Sequence, residues 1–92
     1  FASNSRDLSV LVNKKVECGS LVDAIKECDE LIKKVTLFDI FESEKLGADK
    51  KSMAFSLKLV SDTEDVIDEM TDGVFEKVLA KLSEEFDAQM RA

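Results

Sequence analysis

Three places in the chain hold side chains whose types invite chemistry. Arg6 and Asp7 stand together at the start of an alternating run, "RDLSVLVN". Cys18 and Cys28 flank and enter an amphipathic stretch, and Asp62, Asp65 and Asp68 crowd an acidic one. A small phosphate hydrolase would need an arginine cradle with an asparagine to orient water, but Arg6 and Asn13 are too far apart along one strand to converge, and no glycine-rich loop accompanies them. The chain has no histidine, so the usual general base near neutral pH is missing and a zinc site has little to be built from. The three aspartates lack the glycine and the closing glutamate of a calcium loop. The two cysteines fit a disulfide framework poorly; both are expected to be free thiols, with Cys28 a small apolar core residue. Catalysis by this chain is not expected.

The elements that must position these groups are bounded first by size. The chain has 92 residues; one of this length forms a single domain and buries about 60 to 65% of its unfolded surface. With 45% hydrophobic and 36% charged residues, no proline and three glycines, it reads as compact and ordered. No apolar run approaches the roughly 18 residues of a membrane span, and no secretory signal opens the chain; a cytoplasmic protein is expected. A first residue of Phe1 suggests a piece of a longer polypeptide.

Period-two alternation places a strand over about Arg6 to Asn13, with Leu8, Val10 and Val12 on one face. After Gly19, "SLVD" has the spacing of a capping box, and Leu21, Val22, Ile25, Cys28 and Ile32 recur at helical spacing, predicting a helix over 20–33. "VTLFDIFES" (Val35 to Ser43) and "SMAFSLKLV" (Ser52 to Val60) are two strands joined by a long connection. In the second, Met53, Phe55, Leu57 and Leu59 face the core, and Ser52, Ala54, Ser56 and Lys58 face away. From Ser61 the pattern is helical, with "SDTE" as cap and Met70, Val74, Val78, Leu82 and Phe86 as one stripe. A short edge strand fits within Ala88 to Arg91. The order predicts an α+β fold of the ferredoxin-like split βαβ type (βαββαβ): an antiparallel sheet with two helices on one face and the other face open. Ser9 and Leu11 would share that open face with Ser52, Ala54, Ser56 and Lys58.

Charge is divided unevenly. Residues 1 to 60 carry ten Lys/Arg and ten Asp/Glu, a balance of zero, whereas residues 61 to 92 carry three and ten, a balance of −7. An acidic domain ordinarily disfavours a nucleic-acid partner, but not if the acidic segment faces away from the binding side.

Arg6-Asp7-Leu8 opening the first strand, Leu37-Phe38-Asp39 in the second, Lys51-Ser52 with Ala54-Phe55 in the third, and a last helix closing on "LSEEFDAQMR" together resemble the ferredoxin-fold anticodon-binding domains of bacterial phenylalanyl-tRNA synthetase β chains. The resemblance covers nearly the whole chain. It implies a module that holds the anticodon stem-loop of phenylalanine tRNA, within an enzyme of β chains and α subunits whose ligase chemistry uses ATP and magnesium elsewhere; the module itself would bind no cofactor, no metal, no DNA and no membrane. RNA loops are read through splayed bases that stack on aromatic rings, with hydrogen bonds to base edges and cations on phosphates. On that reading Phe41 is the stacking platform. Asp39 and Asp7 accept from a base amino group, Ser9 and Ser56 donate or accept, and Arg6, Lys50, Lys51 and Lys58 meet phosphates.

The chain departs from the family's pattern in four places. Ala2 follows Phe1 where proline is usual, Phe41 stands where tyrosine is common, Ser56 where a basic residue is common, and Asp87 where glycine is usual. These changes thin the cationic surface and predict low RNA affinity for the isolated piece. A reading from a different class uses the same open face to pack on a neighbouring domain or subunit.

Overall fold

A computed structural model describes residues 1–90. Arg91, the last residue of the expected edge strand, lies outside the described residues. The elements run β1 (Asn4–Asn13), α1 (Cys18–Cys28), β2 (Ile32–Phe41), a short 3-10 turn (Glu44–Leu46), β3 (Lys50–Leu59), α2 (Asp68–Phe86) and β4 (Gln89–Met90). The strands form one antiparallel sheet in the order β2-β3-β1-β4. This is the ferredoxin-like α+β arrangement expected from the element order.

Alternation is what builds the core. Leu8, Val10 and Val12 from β1 and Met53, Phe55, Leu57 and Leu59 from β3 are buried together with Leu21, Ala24 and Ile25 of α1 and Val74, Val78 and Leu82 of α2. Both helices therefore cover one face of the sheet. Phe55, Met53, Leu57 and Leu59 are each at 0% exposure, and burying one such side chain contributes about 1.5–3 kcal/mol. Two ion pairs tie the helix layer: Lys77 Nζ to Asp29 Oδ2 at 3.0 Å and Lys81 Nζ to Glu27 Oε2 at 3.1 Å.

The helix starts differ from those the sequence suggests. α1 begins at Cys18, Gly19 lies in its first turn, and its N-cap residue Glu17 makes no side-chain cap bond, so the Ser20 capping box does not form. At the other end Asp29 Oδ1 accepts from Leu31 N at 2.9 Å. That turn ends the helix early and delivers Ile32, expected on the helix, to the first position of β2. The "SDTE" cap does not form either. Ser61 Oγ accepts from Thr63 N at 3.2 Å in a local turn, Val66 N donates to Ala2 O at 3.0 Å, and α2 starts only at Asp68. Tertiary contacts fix this start, since Asn4 Nδ2 donates to Asp68 Oδ1 at 3.0 Å and to Thr71 Oγ1 at 2.8 Å.

α2 ends on Asp87 in the left-handed region (φ 53°), whose N–H donates to Leu82 O and Ser83 O. That conformation favours glycine, which gives a physical meaning to the departure at this position. Cys18 and Cys28 are free thiols. Cys28 is partly buried rather than fully in the core, and its Sγ donates to Ala24 O at 3.2 Å. Burial pushes its thiol above the ordinary value, which the nearby Lys81 ammonium only partly offsets.

Candidate functional site

The sheet face away from the helices is where the sequence places its candidate residues, and strand register decides which of them share it. β1 pairs with β3 without interruption from Asn4↔Leu59 to Asn13↔Lys50. β2 pairs with β3 through two irregularities, between Ile32 and Lys34 and between Leu37 and Asp39. The second is decisive. Leu37 stands opposite Phe55, on the buried side; one residue is then extra, and Asp39 and Phe41 stand opposite Ala54 and Ser52, on the open side. A strand without this bulge would have turned Phe38 and Ile40 outward with Thr36, and Asp39 and Phe41 toward the helices.

Read across β2, β3 and β1, the open face consists of rows: Lys34, Lys58 and Ser5; Thr36, Ser56 and Asp7; Asp39, Ala54 and Ser9; Phe41, Ser52 and Leu11. Gln89 of β4 extends the last row beyond Leu11, and Lys50 with Asn13 closes the end of the sheet. Phe41 is 47% exposed, a ring at the surface of an otherwise small-residue platform. Ser52 is 6% exposed, a small side chain between the two larger members of its row. Seven of the nine expected residues, Asp7, Ser9, Asp39, Phe41, Lys50, Ser56 and Lys58, are thus brought onto one face.

Arg6 and Lys51 are not. Arg6 stands opposite Leu57, and Lys51 opposite Val12, positions of the buried parity. The Arg6 guanidinium donates to Asp72 Oδ1, lies 3.9 Å from Asp68 Oδ1, and sits 5.3 Å from the Phe75 ring centroid. Lys51 Nζ donates to Val16 O at 2.6 Å. Neither residue therefore shares the open face with Asp7, Lys50 and Lys58. Side-chain direction alternates along a strand, so Arg6 cannot share a face with Asp7, and the carboxylates of α2 hold it on the helix side.

Lys34 and Thr36 join the open face as well, opposite Lys58 and Ser56; neither shares regular alternation with Asp39 until the bulge is counted. Nothing in "KVTLFDIF" marks that bulge, since it contains no glycine.

The electrostatics follow from the layering. The open face carries Lys34, Lys50 and Lys58 against Asp7 and Asp39, three positive charges against two negative. The acidic excess lies elsewhere: Asp68, Glu69, Asp72, Glu76, Glu84 and Glu85 are exposed on α2, whose buried stripe faces the opposite side of the sheet. Among the described residues no group of three or more cysteines and carboxylates is placed to hold a metal ion, and no helix is long and apolar enough to cross a membrane.

Residues 1–91 match the family of ferredoxin-fold anticodon binding domains. The chain is 39% identical over 92 residues to the phenylalanine–tRNA ligase beta subunit of Geobacillus kaustophilus, a match covering 99% of this chain and 11% of the relative. It is 36% identical to the subunit of that name from Bacillus subtilis, over 99% of this chain and 11% of the relative. It is 33% identical to that of Dehalococcoides mccartyi strain CBDB1, over 100% of this chain and 11% of the relative. The chain therefore spans about a ninth of the length of the curated relatives it matches.

Proposed function

The chain belongs to the ferredoxin-fold anticodon-binding domain family, and on that premise we propose that it is a tRNA-binding accessory domain of a phenylalanyl-tRNA synthetase β chain. It receives the anticodon stem-loop of phenylalanine tRNA on the open face of its sheet and is non-catalytic by itself. Residues 1–92 act as one module of a longer cytoplasmic β chain that works with an α subunit, and the ATP and magnesium of the ligation reaction are handled in other parts of the enzyme.

The observation that carries this reading is the bulge-corrected face. Phe41 offers a ring for stacking, and Asp39 stands two positions away on the same strand and face to accept from base amino groups. Ser9, Ser56 and Thr36 supply hydroxyls that both donate and accept. Lys34 and Lys58 sit together at one end of the platform, where a backbone laid along it would bring phosphates. Small residues at Ala54 and Ser52 between them leave room for bases to lie flat. The acidic α2 does not oppose this approach because its exposed carboxylates are on the far side of the sheet.

A second reading, packing on a neighbouring domain, finds apolar surface at the sheet edge rather than on the open face: Phe38, the bulge residue, and Ile40, opposite Met53, are 55% and 50% exposed on the edge strand β2. Salt separates the two. The test is titration of the chain with a phenylalanine tRNA anticodon stem-loop, beside one with altered anticodon bases, at several ionic strengths. RNA recognition predicts tighter binding of the unaltered loop and affinity that falls steeply between about 50 and 200 mM salt. Equal binding of both loops, or no salt response, removes the RNA reading.

A further inference from the structure

A cleft of about 350 Å³ opens at one end of the sheet, where the β2–β3 connection meets the residues that follow β1; Lys14, Glu42, Ser43, Glu44, Gly47 and Lys50 line it. Its walls are held by their own bonds. Ser43 Oγ accepts from Lys45 N at 3.3 Å, Gly47 N donates to Glu44 O at 3.1 Å, and Lys50 N donates to Gly47 O at 3.2 Å. Lys14 N donates to Asp49 O at 2.8 Å, which ties the two walls to each other. Gly47 has φ 114°, and a Cβ there would come within 3.2 Å of Lys50 Cγ, so the turn takes a shape that other residues resist. The backbone of the cleft walls is thus held in place before any ligand arrives.

The lining selects the kind of ligand. Two ammonium groups and two carboxylates sum to no net charge, so a phosphate would be opposed by Glu42 and Glu44 as much as it is attracted by the lysines. An unpaired nucleobase has no such conflict. It is neutral and flat, and its edge carries amino or ring N–H donors for the carboxylates beside carbonyl and ring-nitrogen acceptors for the lysines, with the Ser43 hydroxyl able to serve either. The volume suits a group of nucleotide size. Position supplies the connection: Lys50 lines the cleft while sharing the open-face parity of Ser52, and Glu42 directly follows Phe41. The cleft therefore adjoins the Phe41 end of the open face through Glu42 and Lys50.

The geometry points to a second nucleotide site, in which this cleft takes the unpaired base of a loop nucleotide adjoining those on the sheet, with Lys14 and Glu44 reading its edge. This rests on the RNA reading proposed above. The experiment titrates the 92-residue chain and its Lys14→Ala and Glu44→Gln variants with stem-loops that are intact or abasic at one loop position at a time. Both substituted positions are exposed, so unchanged thermal unfolding is expected. Each variant should weaken the intact loop about five- to tenfold, and with one particular abasic loop both effects should vanish. Variants that bind the intact loop within about twofold of the unmodified chain, a threshold well under one hydrogen bond's worth, overturn the cleft assignment. So does weakening that persists with every abasic loop, which makes Lys14 a general backbone contact. If the unmodified chain binds no stem-loop at all, the RNA reading falls and this site with it, an outcome distinct from failure of the cleft alone.

Discussion

β3 presents two faces built to opposite rules within one ten-residue strand. On the helix side Met53, Phe55, Leu57 and Leu59 are all at 0% exposure, whereas on the open side Ala54 and Ser56 are half-buried and Lys58 is exposed. The first face is apolar at each of those four positions and is locked by two helices. The second is built of small residues and Lys58 with no helix over it; Ser52 is buried there only between its larger row neighbours, while Ala54, Ser56 and Lys58 reach the surface. On the proposed reading stability and recognition are separated by a single step of the backbone, and substitutions at neighbouring residues should read out in different assays.

The sharpest way to break that separation is Phe55→Ala against Ser56→Ala. Loss of the buried ring should cost about 3–5 kcal/mol of unfolding free energy in urea titrations, while the serine change should stay within about 0.5 kcal/mol; similar values for both would dissolve the distinction. Next in size is Phe41→Ala, which should lose about 1–3 kcal/mol of stem-loop binding through the missing stack, measured by fluorescence titration. A third comparison sets Arg6→Met beside Lys58→Ala. Arg6→Met should lower stability by about 1 kcal/mol, because the Asp72 pairing and the Phe75 contact go, and should leave the salt dependence of RNA binding unchanged. Lys58→Ala should do the reverse, flattening the slope of log affinity on log salt by about 1. An Arg6→Met chain with a flattened slope would show that Arg6 contacts RNA despite its pairing with Asp72.

Smaller effects probe the helix layer alone. Gly73 is exposed within α2, and a Cβ there meets nothing within 4 Å, so Gly73→Ala should stabilise by about 0.5–1 kcal/mol with no change in binding. Asp29 supplies a pH signature. Partial burial alone would raise its carboxyl, but the Leu31 N–H and the Lys77 ammonium together outweigh it and hold the group below its ordinary 3.8. A depressed acid contributes stability that is present above the unfolded-state value and is lost as pH falls through the folded-state one. Acid titration of the unfolding midpoint should therefore show a small extra loss below about pH 4, absent in Asp29→Asn.

The strands and the buried stripes were legible because the signal for each is local. Leu8, Val10 and Val12, or Val74, Val78 and Leu82, declare a buried face by spacing alone, whatever covers it. Helix beginnings were less so. Ser20 and Ser61 have the right neighbours for caps, yet the chain elongates α1 to Cys18 and holds residues up to Ile67 out of α2, the latter because Val66 N bonds to Ala2 O and Asn4 holds Asp68 and Thr71. Those partners lie more than sixty residues away, beyond any local pattern.

What the amino-acid order determined by itself is the succession of elements, the side of each that is buried, the segregation of acidic charge into the last third, and the motifs that announce the family. What only the tertiary structure decided is which candidates face the same way. The bulge between Leu37 and Asp39 puts Asp39 and Phe41 beside Ser52 and Ala54, and the carboxylates of α2 draw Arg6 to the opposite face. Periodicity is a property of consecutive residues, but an extra residue in a ladder, or a partner for a charge, exists only once two distant segments are brought together.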